Sequence, residues 1–193
     1  GSVSLVLGAS FGIYNLRHPR APRLGTMRLY DDLKQACLIV LLMMALTFDA
    51  RSEILKSEDR LEITEVMSRY ALALDTKDYP LLRSLFSDDV EVRITFDSNF
   101  SGDGDVKFTG IDDWVHYVEK ALDGTKASQH LLGNPIINFN GKTALVRTDL
   151  QATEFYMDVK KAKTTVWGFY DTHMVKDENW KITKHTLTSI GSE

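Results

Sequence analysis

The chain has 193 residues, of which 44% are apolar and 26% are charged, as in one globular domain with an extension. Its net charge of −4 argues against nucleic acid as the main partner, because phosphate binding requires a basic surface. The single cysteine, Cys37, excludes an internal disulfide and a cysteine-rich zinc site, and we interpret it as a buried apolar residue. Nucleotide-binding glycine loops, zinc-protease motifs and serine-hydrolase motifs are absent, so any chemistry must come from scattered residues.

Residues 1–52 differ in composition from the rest, and we interpret them as a flexible or processed extension before a domain at 53–193. Residues 15–25 are basic, contain proline and have no pattern, which predicts a flexible segment. The apolar run 36–48 is short for a bilayer span and matches a signal-peptide core in length. Acidic flanking residues instead favour a buried or partner-covered helix. We therefore expect a cytoplasmic location, with export through segment 27–50 as the alternative.

The first regular helix of the domain is expected to begin at Ser57, a good capping residue followed by two acids that suit a helix N-terminus. Apolar residues recur behind it at spacings of three and four, which predicts one buried helical face: Ile63, Val66, Met67, Tyr70, Ala71 and Leu74. The pattern stops at Asp75. An anion at a helix C-terminus is unfavourable, and such a conflict with a local rule is a sign of function.

Three further elements follow before the chain changes character. Pro80 predicts the first turn of a short helix. Residues 90–96 alternate between apolar and polar, which predicts a strand with one buried side. Residues 99–110 have a loop composition, and residues 110–122 place a tryptophan and four aliphatic residues on one helical face.

The remainder predicts four strands at about 128–139, 143–157, 163–176 and 179–190. Asn140-Gly141 is a strong signal for a tight hairpin between the first two. Helices gathered before a meander predict an α+β fold, in which a curved antiparallel sheet wraps around three N-terminal helices. The open end of such a cone is a natural small-molecule pocket.

This order of elements resembles the cystatin-like α+β barrel of the nuclear transport factor 2-like superfamily. Within it, residues 53–193 are similar to the SnoaL-like branch, which includes scytalone dehydratase and hexachlorocyclohexane dehydrochlorinase. The similarity is carried by LDTKDYPLLRSLFSDDVEV, a helix-end aspartate with a short helix and first strand, by SQHLLGNPII, a histidine-bearing strand, and by DENWKITKHTLT, a last hairpin. The fold alone does not specify a substrate, because it hosts many chemistries.

The resemblance implies a catalytic aspartate–histidine pair, which maps onto Asp75 and His130. Histidine has an unperturbed pKa near neutrality, and a carboxylate on one ring nitrogen fixes the tautomer and stabilises the imidazolium. Such a pair can take a proton from carbon and return it without a cofactor. We therefore expect a dehydratase, isomerase or cyclase acting on a small, fairly apolar hydroxylated or carbonyl compound, with no cofactor and no metal.

Four more residues are candidates for substrate binding. Tyr170 or Asn134 is expected to polarise the substrate oxygen, and His185 is expected to face the same pocket as His130. Arg147 shares a strand face with Asp149, and the two either line the pocket or face solvent.

Two features narrow the range of expected substrates. Leu74 stands where scytalone dehydratase has a tyrosine, which argues against scytalone as the substrate, and the basic pocket residues of the dehydrochlorinase do not map onto this chain. The alternative function is a non-catalytic module of the same fold that binds small molecules or assembles. A homodimer or homotrimer is expected from the resemblance.

Overall fold

The computed structural model describes residues 24–97, 105–161 and 163–193, and contacts divide the chain into two units, Gly1–Arg51 and Ser52–Glu193. Most of the predicted flexible segment 15–25 lies outside the described residues. The first helix, α1, spans Leu24–Thr76. In the first unit the apolar run 36–48 is helical and its large side chains are exposed. The expected burial of Cys37 is wrong, because this stretch of helix is exposed throughout.

One helix of the described residues, Tyr30–Thr76, is long and apolar enough to cross a membrane by length and composition. Within this helix the apolar run 36–48 has no polar side, unlike the amphipathic stretch that follows it in α1.

The part of α1 in the second unit buries the face that its periodicity predicts, including Ile63, Met67, Tyr70 and Leu74. Ser57 is not a helix cap. It lies inside α1, where its hydroxyl donates a hydrogen bond to the Glu53 carbonyl. The predicted start was wrong because the helix continues from residues upstream without a break.

Helix α2 spans Tyr79–Ser84, strand β1 Phe86–Thr95, strand β2 Val106–Thr109 and helix α3 Ile111–Leu122. Strand β2 was predicted as loop, and it pairs antiparallel with β1. Strand β1 also begins earlier than predicted. The remainder of the predicted loop, residues 98–104, lies outside the described residues.

The last four strands are β3, Thr125–Asn140, β4, Thr143–Tyr156, β5, Lys163–Lys176, and β6, Trp180–Ser192. The sheet order is β2-β1-β6-β5-β4-β3, and a two-residue turn with Gly141 at a φ of 61° joins β3 to β4. The predicted α+β class is confirmed. Among the described strands the pairing of β1 with β6 is parallel, and the other pairings are antiparallel.

The sheet bends where its register shifts, at points in β1, β3 and β5 with their partners. Gly168 lies at one of these shifts, and a Cβ there would collide with the Thr188 carbonyl on β6. Glycine is therefore the residue that lets β5 and β6 approach so closely at this point. The core lies between the helices and the sheet, and it leaves a cavity lined by α1, α3 and the strands β1, β3, β4, β5 and β6.

Candidate active site

The end of α1 places Asp75 beside the sheet. The amide of Asp78 donates to the Ala73 carbonyl at 2.9 Å, and that of Lys77 donates to Leu74 at 3.2 Å, as in a Schellman motif. Lys77 adopts the left-handed conformation with a φ of 55°, which is unusual for a residue other than glycine. Its ammonium group donates to the carbonyls of Leu122 and Thr125, so the strained turn is held by α3 and β3.

Asp75 and His130 form a direct pair, with 2.7 Å between the Asp75 Oδ1 and the His130 Nδ1. The backbone amide of His130 also donates to both carboxylate oxygens, at 3.0 and 3.1 Å. These contacts offset the unfavourable position of the anion at a helix C-terminus. The two residues that the sequence selected are therefore in contact.

His130 lies in the wall of a cavity of about 220 Å³. Its side chain is 7% exposed, and its Nε2 has no hydrogen-bond partner among the described residues. The wall is largely aromatic and aliphatic and includes Tyr70, Leu74, Phe96, Trp114, Tyr117, Leu150, Glu154, Tyr156 and Tyr170. The cavity therefore suits a small apolar molecule with few polar groups.

Tyr70 and Tyr170 meet in this wall, with ring centroids 5.4 Å apart in an edge-to-face arrangement. Burial raises the pKa of both phenols well above the usual value. Both hydroxyl groups therefore stay protonated and available as donors. Tyr170 lies in the cavity wall as expected. Tyr70 is a buried core residue, as its place on the apolar face of α1 predicts, and it also lines the cavity.

His185 lies behind these tyrosines and does not line the cavity. It is fully buried and its ring stacks on Tyr170 at 4.5 Å, while 2.9 Å separates its Nδ1 from the Thr172 hydroxyl. Burial lowers the pKa of His185 to about 3. We expected it to face the same pocket as His130, and the structure places it one layer further from the ligand space.

Asn134 and Arg147 lie outside the cavity. Asn134 is exposed, has a φ of 48° and donates to the Asp149 carboxylate at 2.8 Å. Arg147 is on the outer face of β4 because its neighbours Val146 and Thr148 point into the core. Its guanidinium binds Asp171 at 2.7 and 2.8 Å, so the solvent-facing alternative holds, with a cross-strand partner in place of Asp149.

Glu154 lines the cavity and was missed by the sequence reasoning. It follows Leu150 and Ala152 on the inward face of β4, so the two-residue period of the strand was the signal that could have found it. Burial raises the pKa of this carboxyl above its usual value, and nearby His130 and Lys161 oppose the shift.

The indole N–H of Trp114 is another overlooked group of this wall. It is buried and has no acceptor among the described residues. Groups of three or more His, Cys, Asp or Glu side chains arranged to hold a metal ion are likewise not found in the described part of the chain. The polar residues that line the cavity are His130, Glu154, Ser189 and the tyrosines.

A family model for the SnoaL-like domain matches residues 56–186. Among solved structures, a candidate scytalone dehydratase from Novosphingobium aromaticivorans is 24% identical, over 72% of this chain and 88% of that chain, with a TM-score of 0.62. A candidate aromatic ring hydroxylase from the same species is 25% identical, over 69% of this chain and 90% of that chain, with a TM-score of 0.59.

The hexachlorocyclohexane dehydrochlorinase LinA-type3 from Novosphingobium barchaimii LL02 is 15% identical, over 73% of this chain and 92% of that chain, with a TM-score of 0.61. No protein of curated function matches the sequence. The family model spans more than half of the chain, from within α1 to β6, and includes Asp75, His130, Glu154 and Tyr170. The chain therefore belongs to the SnoaL-like family of the nuclear transport factor 2-like fold.

Proposed function

We propose that the protein is a cofactor-independent lyase or isomerase in which His130 is the general base and Asp75 orients it. The observation that carries this proposal is the 2.7 Å contact between the Asp75 Oδ1 and the His130 Nδ1 at the wall of an apolar cavity. A base needs a partner that fixes its tautomer, and this contact supplies it.

The chemistry follows from the two ring nitrogens. With the Nδ1 proton donated to Asp75, the Nε2 of neutral His130 carries a lone pair. That nitrogen takes a proton from a carbon next to a carbonyl, and the Asp75 carboxylate stabilises the resulting imidazolium. The proton is then returned to another atom of the substrate in an isomerisation, or leaves with the departing group in an elimination.

The wall supports a substrate that is small, fairly apolar and carries oxygen. Tyr170 lies in the wall and its phenol stays protonated, so its hydroxyl suits hydrogen bonding to an enolate oxygen. Two structural neighbours are named for a dehydratase and a dehydrochlorinase, and both names denote eliminations.

The test is turnover of neutral aromatic hydroxy ketones and enones by the wild type, by His130→Ala and by Arg147→Ala. We expect His130→Ala to lose at least about 100-fold in kcat/KM, because general base catalysis contributes that much or more. Arg147→Ala should match the wild type, since its side chain lies outside the cavity. Full turnover by His130→Ala would contradict the proposal.

The alternative, a binding or assembly module, draws support from the apolar side chains exposed on the sheet, among them Leu131, Leu145 and Ile190. A second copy of the chain covering this face would form the expected homo-oligomer. Light scattering measures the mass. A multimer that binds neutral aromatic ketones without converting any of them would favour this alternative over the enzyme.

A further inference from the structure

We propose that Glu154 is the second proton-transferring residue of this site, a carboxylic acid that protonates the leaving hydroxyl group while His130 removes a proton from carbon. The inference rests on the proposed function and extends it to a specific reaction, the dehydration of a neutral β-hydroxy ketone. The supporting facts are the placement of Glu154 on the sheet, its surroundings and the charge balance of the cavity.

The register of β3 and β4 brings the two groups to the same wall. His130 lies opposite Ala152, and Ser128 lies opposite Glu154. His130 and Glu154 are therefore diagonal neighbours on one sheet face, a relation that separates Cα atoms by roughly 7–8 Å. An acid and a base each act over a hydrogen bond of about 3 Å, so neighbours at this separation can both reach a small substrate bound between them.

Glu154 also has the right surroundings for an acid. Its side chain is partly buried, and this burial favours the protonated carboxyl. The groups that interact with it electrostatically are His130, Lys161, Tyr117 and Tyr170. Lys161 lies over the ring of Tyr156 at 3.8 Å, at the edge of the cavity wall.

The balance of charge indicates the class of substrate. Among the described residues that line the cavity, Glu154 has the only carboxyl and His130 the only basic side chain. No lysine or arginine is among these lining residues, so an anionic substrate would meet no fixed positive charge in the wall itself and would be repelled by an ionised Glu154. A neutral ring compound packs on the aromatic wall and places its oxygen atoms near the polar groups.

The step balances as follows. The Nε2 of His130 takes a proton from the α-carbon, which lies between the carbonyl carbon and the carbinol carbon. The electron pair of that carbon–hydrogen bond forms the new carbon–carbon double bond. The carbon–oxygen bond breaks, and the Glu154 proton completes a molecule of water. The imidazolium then gives its proton to the Glu154 carboxylate through solvent, which restores both residues.

Two neutral ketones separate the roles of the two residues. The aldol of acetone and benzaldehyde dehydrates to benzalacetone, a step that needs both base and acid. Benzylacetone lacks the hydroxyl group, and its exchange of α-hydrogen in deuterium oxide needs the base alone. The variants are Glu154→Gln, His130→Ala and the matched control Glu178→Gln, which alters an exposed glutamate of the turn between β5 and β6.

We expect Glu154→Gln to form benzalacetone about 100-fold more slowly and to keep exchange within about threefold of the wild type. His130→Ala should lose both activities, and Glu178→Gln neither. If Glu154→Gln keeps dehydration, or loses both activities equally, the role of Glu154 as the acid is overturned while that of His130 stands. If His130→Ala keeps both, or the wild type accelerates neither, the proposed function itself is overturned.

Discussion

His130 on β3 and His185 on β6 both lie on the face of the sheet that covers the core, yet their surroundings differ. His130 contacts a carboxylate and lies in the wall of the cavity. His185 is fully buried, bonds to the hydroxyl of Thr172, and lies 4.8 Å from the ring of Tyr70. The same side chain therefore has two different environments, which differ in the hydrogen-bond partner of the ring and in its access to the cavity.

The difference teaches which histidine can exchange protons with a ligand. Burial without a carboxylate lowers the pKa of His185 to about 3, so its ring is neutral under all ordinary conditions. It serves packing, as the aromatic rings of Tyr70, Phe86 and Tyr170 around it indicate. His130 has the carboxylate that an imidazolium needs and a nitrogen free of protein partners among the described residues.

The largest effect expected is the loss of activity when the His130 region is altered. Asp75→Asn should lower kcat/KM about 100-fold in the wild type, because the ring loses its orienting anion. In a His130→Ala background the same change should have almost no further effect, since the pair acts as a unit. A double-mutant cycle on the dehydration of the acetone–benzaldehyde aldol measures this, and full additivity would argue against the pair.

Altering the His185 region should change stability and leave the chemistry nearly intact. His185→Ala removes a fully buried ring, and we expect a loss of about 3 kcal/mol in the free energy of unfolding at pH 7, as for other large-to-small core substitutions. Urea denaturation checks the stability, and kcat of the folded fraction checks the chemistry. A fall in kcat as large as that of His130→Ala would remove the distinction between the two histidines.

The same region should make stability depend on pH. The pKa of His185 is lower in the folded state, at about 3, than the ordinary value of 6.5, so below pH 6.5 the unfolded chain binds a proton that the folded chain does not. The contribution of neutral His185 to the free energy of unfolding is fully present above pH 6.5 and falls with decreasing pH, by up to about 1.4 kcal/mol per pH unit. Urea titrations at several pH values should show a shallower decline for His185→Ala, and parallel declines would contradict the assignment.

A smaller effect is expected for Tyr170, which contacts both regions. Tyr170→Phe keeps the ring stacked on His185 and removes the hydroxyl from the cavity wall. We expect kcat/KM to fall about tenfold, which corresponds to the free energy of roughly one hydrogen bond. KM should be nearly unchanged, because the hydrogen bond is stronger to the enolate than to the bound ketone. Tyr79→Phe, on α2 and outside the described wall, is the control. Equal effects of the two changes would exclude a direct role for the Tyr170 hydroxyl.

Much of the fold followed from local patterns. Three elements could be predicted without knowledge of tertiary contacts. They are the helical face from Ile63 to Leu74, the alternating strand β1 and the Asn140-Gly141 turn. Strand β2 could not be found in this way, because it is short and takes its stability from pairing with β1. The long α1 was missed because Ser57 has the features of a cap in a stretch where the helix simply continues.

The site was harder to predict than the fold. Asp75 was recognisable as an anion at an unfavourable helix position, and the resemblance supplied His130. Arg147 was left undecided between pocket and solvent, although the buried neighbours of its strand place it outside. The two-residue period of β4 could have placed Glu154 on the inward face, but its importance depends on lying beside His130. That neighbourhood is set by the register of β3 against β4, which no local pattern reveals.

The most direct measurement of the central claim is the tautomer of His130, read from the nitrogen-15 spectrum of the labelled protein and assigned with His130→Ala. The contact with Asp75 predicts that the neutral form of the ring carries its proton on Nδ1 and leaves Nε2 bare, the tautomer that is the minor one in free histidine. Asp75→Asn should weaken this preference. A ring protonated on Nε2 in the wild type, unchanged by Asp75→Asn, would mean that the pair does not prepare His130 as a base, and the proposed chemistry would fail.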